Sequence, residues 1–173
     1  MSLPYAFSSY RDSIESELKS LILGQNFPLY RMMAYHMGWV DEHGEAVGTD
    51  GGVRLRSTLC LLTCQALCGD FRAALPAAAA VEMVHNFSLI HQDIQDGTPE
   101  RYHRPTVWWV WGPAQGINAG DGMHALARLS LLRQADKGMT SEKTLKAVAL
   151  LDAACLRLCE GQYLDLTYQE RVD

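Results

Sequence analysis

Apolar residues recur at helical spacing along nearly the whole chain, and stretches of strict apolar–polar alternation rich in β-branched residues are almost absent. That pattern restricts the chain to an all-α fold, in which each helix buries its apolar stripe against another helix. The spacing predicts helices over about residues 5–23, 28–40, 52–68, 71–96, 106–134 with breaks, and 141–171. Polar, glycine-rich stretches at 41–51 and 97–104 read as loops, and Thr140 is an expected N-cap with Glu142 in the first turn. Residues 71–90 and 145–158 are apolar nearly all round, the pattern of helices buried inside a bundle. Polar side chains embedded in them therefore need a reason.

With 173 residues, 48% of them hydrophobic, the chain is long enough for a packed core, and residues 1–173 are expected to form a single all-helical domain. A net charge of −5 with no basic cluster argues against a nucleic-acid or anionic-membrane surface. The start, Met1-Ser2-Leu3-Pro4-Tyr5, has neither a basic n-region nor an apolar h-region, and uninterrupted apolar runs fall short of a membrane span. A cytoplasmic protein is expected. Cys60, Cys64, Cys68, Cys155 and Cys159 are spaced by four within helices, unlike the Cys-x-x-Cys knuckle of structural zinc sites, so core packing is their expected role.

The chemistry is concentrated at the end of the fourth helix. Gln92 and Asp96 are separated by four residues and Asp93 and Asp96 by three, which predicts that all three project from neighbouring points of one face. Two carboxylates at a helix C-terminus oppose the macrodipole unless a cation compensates them. Hard oxygen ligands on a rigid helix suit magnesium, which bridges one or two carboxylates to a ligand's phosphates.

The stretch from Glu82 through His85, Ser88 and His91 to Asp96, followed by Arg101, Arg104-Pro105-Thr106 and Asn118-Ala119-Gly120-Asp121, closely resembles the polyprenyl synthetase family, the trans-isoprenyl diphosphate synthases. That family reads E-x-x-H-x-x-S-L-I-H-D-D-x-x-D, then R-R-G-R-P-T, then G-D. Gly52-Val53-Arg54-Leu55-Arg56 is similar to its G-K-R-L-R block and Gly161-Gln162-Tyr163-Leu164-Asp165-Leu166 to its G-Q-x-x-D-L block, so the resemblance covers residues 38–171. It implies the helical bundle of the class I isoprenoid (terpenoid) synthases, and head-to-tail condensation of an allylic prenyl diphosphate with isopentenyl diphosphate, assisted by Mg2+. On that mapping Gln92, Asp93, Asp96 and Asp165 are the metal-site residues and Arg101 clamps the allylic diphosphate. Arg56 and His85 hold isopentenyl diphosphate, Gln162 lines the allylic end of the cavity, and Phe87 is an aromatic floor that limits products to the farnesyl or geranylgeranyl class.

The departures point elsewhere. Gln92 stands where the family has its first aspartate, Val53 where it has a lysine, and Tyr102 where it has the second arginine of its pair. Two cationic contacts to isopentenyl diphosphate are thereby missing. The family's second aspartate-rich motif has no counterpart within these 173 residues, so the resemblance implies the N-terminal half of a prenyl synthase fold. Two alternatives follow: ionisation of an allylic diphosphate without isopentenyl diphosphate, as terpene synthases do, or a non-catalytic partner subunit. A homodimer, or a heteromer with a complementary prenyl synthase chain, is the expected assembly. Trp108, Trp109 and Trp111 are expected to pack in the bundle or at a dimer interface, because adjacent residues cannot all face one cavity.

Overall fold

The computed structural model describes residues 8–47 and 52–169. Seven helices account for most of them: α1 (Arg11–Ile22), α2 (Pro28–His36), α3 (Leu55–Cys68), α4 (Leu75–Gln95), α5 (Val107–Trp111), α6 (Pro113–Leu132) and α7 (Ser141–Gln169). A two-residue hairpin, β1 (Glu100–Arg101) against β2 (Arg104–Pro105), joins α4 to α5. The expected helix starting at residue 5 begins partly outside the described residues, as do the expected end at 171 and the loop positions 48–51. The break anticipated within 106–134 falls at Gly112, where Pro113 occupies the first turn of the next helix, a position that lacks a helical N–H partner anyway. Thr140 caps α7 as expected: its Oγ1 accepts from the Lys143 N–H, at 3.4 Å.

The centre of the bundle is α4. Its alanines Ala78, Ala79 and Ala80, with Met83, Phe87 and Ile90, are buried against α1, α3 and α6. The partner helix α6 comes close because it presents small residues. At Gly116 a Cβ would lie 2.8 Å from Ile94 Cδ1, and at Gly120 it would collide with the His91 imidazole. His91 instead lies flat on α6 and donates from Nε2 to the Ile117 carbonyl oxygen at 3.2 Å. Ser130 Oγ adds a buried bond to the Pro76 carbonyl at the other end of the pair.

A buried charged network fixes the start of α3. Arg54, 6% exposed and in the left-handed region at φ 48°, donates from Nε to Glu15 Oε1 of α1 at 2.7 Å and stands 3.6 Å from Glu82 Oε1 of α4. Trp39 Nε1 donates to the other Glu15 oxygen and the Ser57 hydroxyl lies 2.9 Å from Glu82 Oε2. Every carboxylate oxygen in the network thus has a partner, which a buried ion pair needs if its desolvation is to be offset.

Two expectations are corrected here. Helix α7 is not buried within a bundle: of its residues only Thr144, Leu151 and Cys155 are buried, while Leu145, Leu150 and Leu156 are exposed. One face packs on α6, pinned by the Arg128–Asp152 ion pair at 2.6 Å, and nothing among the described residues covers the rest. The cysteines divide likewise: Cys155 is buried and Cys60 and Cys64 partly so, but Cys68 and Cys159 are exposed. Of the tryptophans, Trp111 packs edge-on to Tyr35, while Trp108 donates to the Thr98 carbonyl and meets the exposed Trp109 edge-on, with centroids 5.4 Å apart. Helix α4 with the 3-10 turn before it, Arg72–Gln95, is long and apolar enough to cross a membrane by length and composition, and over half of it is buried inside the bundle.

The α4–α6 contact is testable. Gly120→Ala should destabilise the fold by about 1–3 kcal/mol, the usual cost of overpacking, in urea unfolding. Combining it with His91→Ala should recover much of that loss, because the colliding ring is gone.

Candidate functional site

Two cavities flank α4, and the helix divides its residues between them by angle. At ~100° per residue, Val81, Val84, Ser88 and Gln92 form one stripe, and Glu82, Asn86, Leu89 and Asp93 form another beside it. The first cavity, of about 470 Å3, lies among the second stripe, the N-terminal end of α3 (Val53, Arg54, Arg56) and the hairpin (Arg101, Tyr102, Arg104). The second, of about 480 Å3, lies between the first stripe and α7, where Leu151, Ala154 and Leu158 make its far wall. Arg56, His85 and Leu89 line both cavities. The two spaces therefore meet at these three side chains.

The expected site residues distribute as follows. Arg56, His85, Gln92 and Gln162 are brought together around the second cavity. Asp93 and Arg101 meet in the first: Arg101 Nε and Nη2 both reach Asp93 Oδ1, at 2.8 and 2.7 Å, and Asp93 is 2% exposed. Asp96, at the C-cap of α4, is exposed. The expectation that Gln92, Asp93 and Asp96 share one face is corrected, because adjacent residues diverge by a quarter-turn or more and Gln92 and Asp93 consequently enter different cavities. Asp165 is exposed on α7, accepting from Gln169 Nε2 at 3.2 Å, one turn beyond Gln162. Phe87 lines neither cavity; five residues from Gln92 place it roughly 140° around the helix, where it packs against the His124 ring of α6, with centroids 4.7 Å apart.

Electrostatics set the protonation states. Burial pushes the Asp93 carboxyl above its ordinary range, with Arg101 pulling it down and Asp96 adding to the rise. Burial, and then the Arg56 guanidinium, lowers His85. His36 is pushed down to about 3 by burial first and then by Arg101, while its bond to Asn86 Oδ1 at 3.1 Å opposes the shift. Asn86 is held in turn by the Glu82 carbonyl. Both histidines are thus neutral near neutral pH.

The fit to a magnesium ion rests on the donors left over. Arg101 occupies one Asp93 oxygen, Gln92 offers a neutral amide oxygen, and Asp96 supplies a free carboxylate. No group of three or more His, Cys, Asp or Glu stands close enough to hold a metal among the described residues. Such donors suit an ion that shares its coordination with phosphate oxygens, and not an all-protein cage.

Reasoning from sequence passed over the Glu15–Arg54–Glu82 network and the His36–Asn86 pair, both of which border the first cavity. A signal was present for one of them: Glu82 sits mid-helix among apolar residues, where an unpaired carboxylate is costly. The partner in another loop was not visible.

An all-α bundle with a polar cavity opening onto an apolar one at the end of a carboxylate-bearing helix has the architecture of an isoprenyl diphosphate synthase. Residues 37–173 match the polyprenyl synthetase family model, and the chain belongs to that family. It is 38% identical over 142 residues to a (2E,6E)-farnesyl diphosphate synthase of Mycobacterium tuberculosis, and 40% identical over 139 residues to a geranylgeranyl diphosphate synthase of the same organism. These matches take in 82% and 80% of this chain but 38% of each relative, so the chain spans well under half the length of the curated relatives it matches. Among solved structures, a polyprenyl synthetase from Streptomyces coelicolor A3(2) superposes with a TM-score of 0.86 at 36% identity, covering 96% of this chain and 48% of that one. The geranylgeranyl pyrophosphate synthetase of Geoglobus acetivorans gives 0.84 at 32% identity, covering 96% and 50%.

The depressed His36 value makes a prediction for stability. Between about pH 3 and the ordinary value of 6.5 the unfolded chain binds a proton that the folded chain does not, so stability rises with pH across that window and falls on acidification. His36→Asn should flatten the slope of the urea midpoint between about pH 7 and pH 4.5. An unchanged slope would contradict the assignment.

Proposed function

We propose that this chain binds an allylic prenyl diphosphate with its hydrocarbon in the cavity between α4 and α7, and transfers the prenyl group head-to-tail to an acceptor in the neighbouring cavity, isopentenyl diphosphate in the family's reaction. The observation that carries the reading is that the two cavities meet at Arg56, His85 and Leu89, which lets a donor in one reach an acceptor in the other. Val81, Val84, Leu151, Ala154 and Leu158 offer apolar surface to the prenyl chain and keep water from an allylic cation.

The diphosphate lies at the C-terminal end of α4. Asp96 and the Gln92 amide oxygen would hold magnesium there, with Asp93 orienting Arg101 toward the phosphates and Asp165, one turn past Gln162, as the fourth member of the set. Bound magnesium supplies positive charge against the charge developing on the leaving diphosphate. The allylic C–O bond breaks with its electron pair leaving on the diphosphate, the acceptor's double bond attacks the cation to form the new C–C bond, and a proton is lost from the carbon beside the resulting cation. Arg101 stabilises the leaving group, and Arg56 and His85 position the acceptor at the junction. Homodimerisation, or pairing with a complementary prenyl synthase chain, belongs to this reading; the exposed Leu145, Leu150 and Leu156 of α7 offer apolar surface for it.

A second reading, ionisation without isopentenyl diphosphate, is favoured by Val53 and Tyr102, which bring an aliphatic chain and a phenol to the acceptor cavity. Radiolabelled isopentenyl diphosphate, farnesyl diphosphate and Mg2+ separate the two. The expected result is label in organic-soluble product, reduced on the order of 10²-fold in Arg101→Gln, as for loss of a charge-stabilising donor. Pyrophosphate release without incorporation would select the second reading; neither signal would refute catalysis by this chain and favour a non-catalytic partner subunit.

A further inference from the structure

The cavity at the start of α3 carries little uncommitted positive charge. Four arginines line it, and three are already engaged. Arg54 is held between Glu15 and Glu82, and Arg101 gives two of its nitrogens to Asp93. Arg104 directs Nη1 and Nη2 to the carbonyl oxygens of Tyr35 and Val40 and lies 4.4 Å over the Tyr35 ring. Only Arg56 of the four, exposed where the two cavities join, makes neither an ion pair nor a side-chain hydrogen bond among the described residues. Four guanidiniums therefore face three carboxylates (Glu15, Glu82 and Asp93), leaving one net positive charge. His36 and His85, neutral near neutral pH, add none.

One donor nevertheless waits for a partner. Arg54 Nη2 is buried and makes no hydrogen bond, although Nε is bonded to Glu15 and Nη1 stands 3.6 Å from Glu82. Buried polar groups are almost always paired, so an orphan on the lining of a cavity marks where an oxygen from outside the chain is wanted. At the mouth, Val53 (46% exposed) and Tyr102 (80% exposed) contribute no charge.

Resting on the reading of this space as the acceptor cavity, we propose that it takes an isoprenoid acceptor with a single-phosphate headgroup in preference to one with a diphosphate. A phosphate monoester carries about −1.5 to −2 charges near neutral pH and three acceptor oxygens. One oxygen meets Arg54 Nη2 and another Arg56, while the hydrocarbon runs toward Leu89 and the apolar cavity. A second phosphate would be desolvated with no uncommitted cation to receive it, which is unfavourable.

The test is calorimetric titration of the 173-residue protein with isopentenyl monophosphate and with isopentenyl diphosphate, both without divalent cations. The monophosphate should bind as tightly as the diphosphate or more so. Arg56→Gln should weaken it on the order of tenfold, the value of one charge-assisted contact. Val53→Lys with Tyr102→Arg, checked by circular dichroism for an intact fold, should move the preference toward the diphosphate by on the order of tenfold for each cation added. Tenfold tighter binding of the diphosphate to the unaltered protein, or no change of preference in the double variant, overturns the headgroup assignment and leaves the prenyl-transfer reading standing. Failure of both ligands to bind overturns the acceptor cavity itself.

Discussion

The close approach of α4 and α6 is the constraint on which the rest of this structure depends. Helices meet at a distance set by the side chains between them, and here Gly116, Ala119 and Gly120 face Ile94 and His91 with almost nothing interposed. The consequence reaches the cavities. With one side of α4 committed to α6 through Phe87, His91 and Ile94, the remaining sides are fixed in azimuth, and the stripes containing Gln92 and Asp93 fall to the two cavities. A looser α4–α6 contact would let α4 rotate, and the division of its polar residues would be lost.

The second anchor is the Arg54 network, which does for α3 what the glycines do for α6. Arg54 adopts a left-handed backbone conformation that disfavours any residue with a Cβ, and the charge pairs to Glu15 and Glu82 hold it there. Its neighbours Val53 and Arg56 then project at the cavity wall from a backbone that cannot relax. Stability and specificity are coupled at this point, since breaking a buried pair typically costs about 3–5 kcal/mol. The same interaction that supports the bundle also sets two carboxylates against the four guanidiniums of the cavity.

How far the sequence disclosed this arrangement depended on whether the deciding partner was local. The helices were legible because a 3.6-residue period needs only its own residues, and Gly112-Pro113 announced the break between α5 and α6. The family's signature set Arg56 and His85 at the acceptor, Gln92 in the metal site and Gln162 at the allylic end, whereas all four line a single cavity. The exposure of α7 was illegible: an apolar helix reads as buried whether or not a neighbour covers it. The β1–β2 hairpin was hidden as well, because its turn positions at positive φ are Tyr102 and His103, where glycine, asparagine or aspartate would be the recognisable signal. Phe87 packs on α6 for a geometric reason, since five residues carry a side chain well past the face that holds Gln92.

The pairing of Asp93 with Arg101 bears most directly on what the end of α4 can do. A helix C-terminus already carries partial negative charge, and three ionised carboxylates there would demand metal to exist at all. This chain has reduced that demand twice, with a neutral amide at Gln92 and with an arginine seated on Asp93. In the proposed reading what remains, chiefly the exposed carboxylate of Asp96, would hold a cation weakly unless phosphate oxygens complete its shell. Ligand and metal are then expected to bind as one unit, each supplying what the other lacks. In that reading Arg101 would share its charge between Asp93 and the departing diphosphate. On the proposed reading the site's affinity would be governed less by the number of aspartates in the motif than by how much of that guanidinium the phosphate could claim.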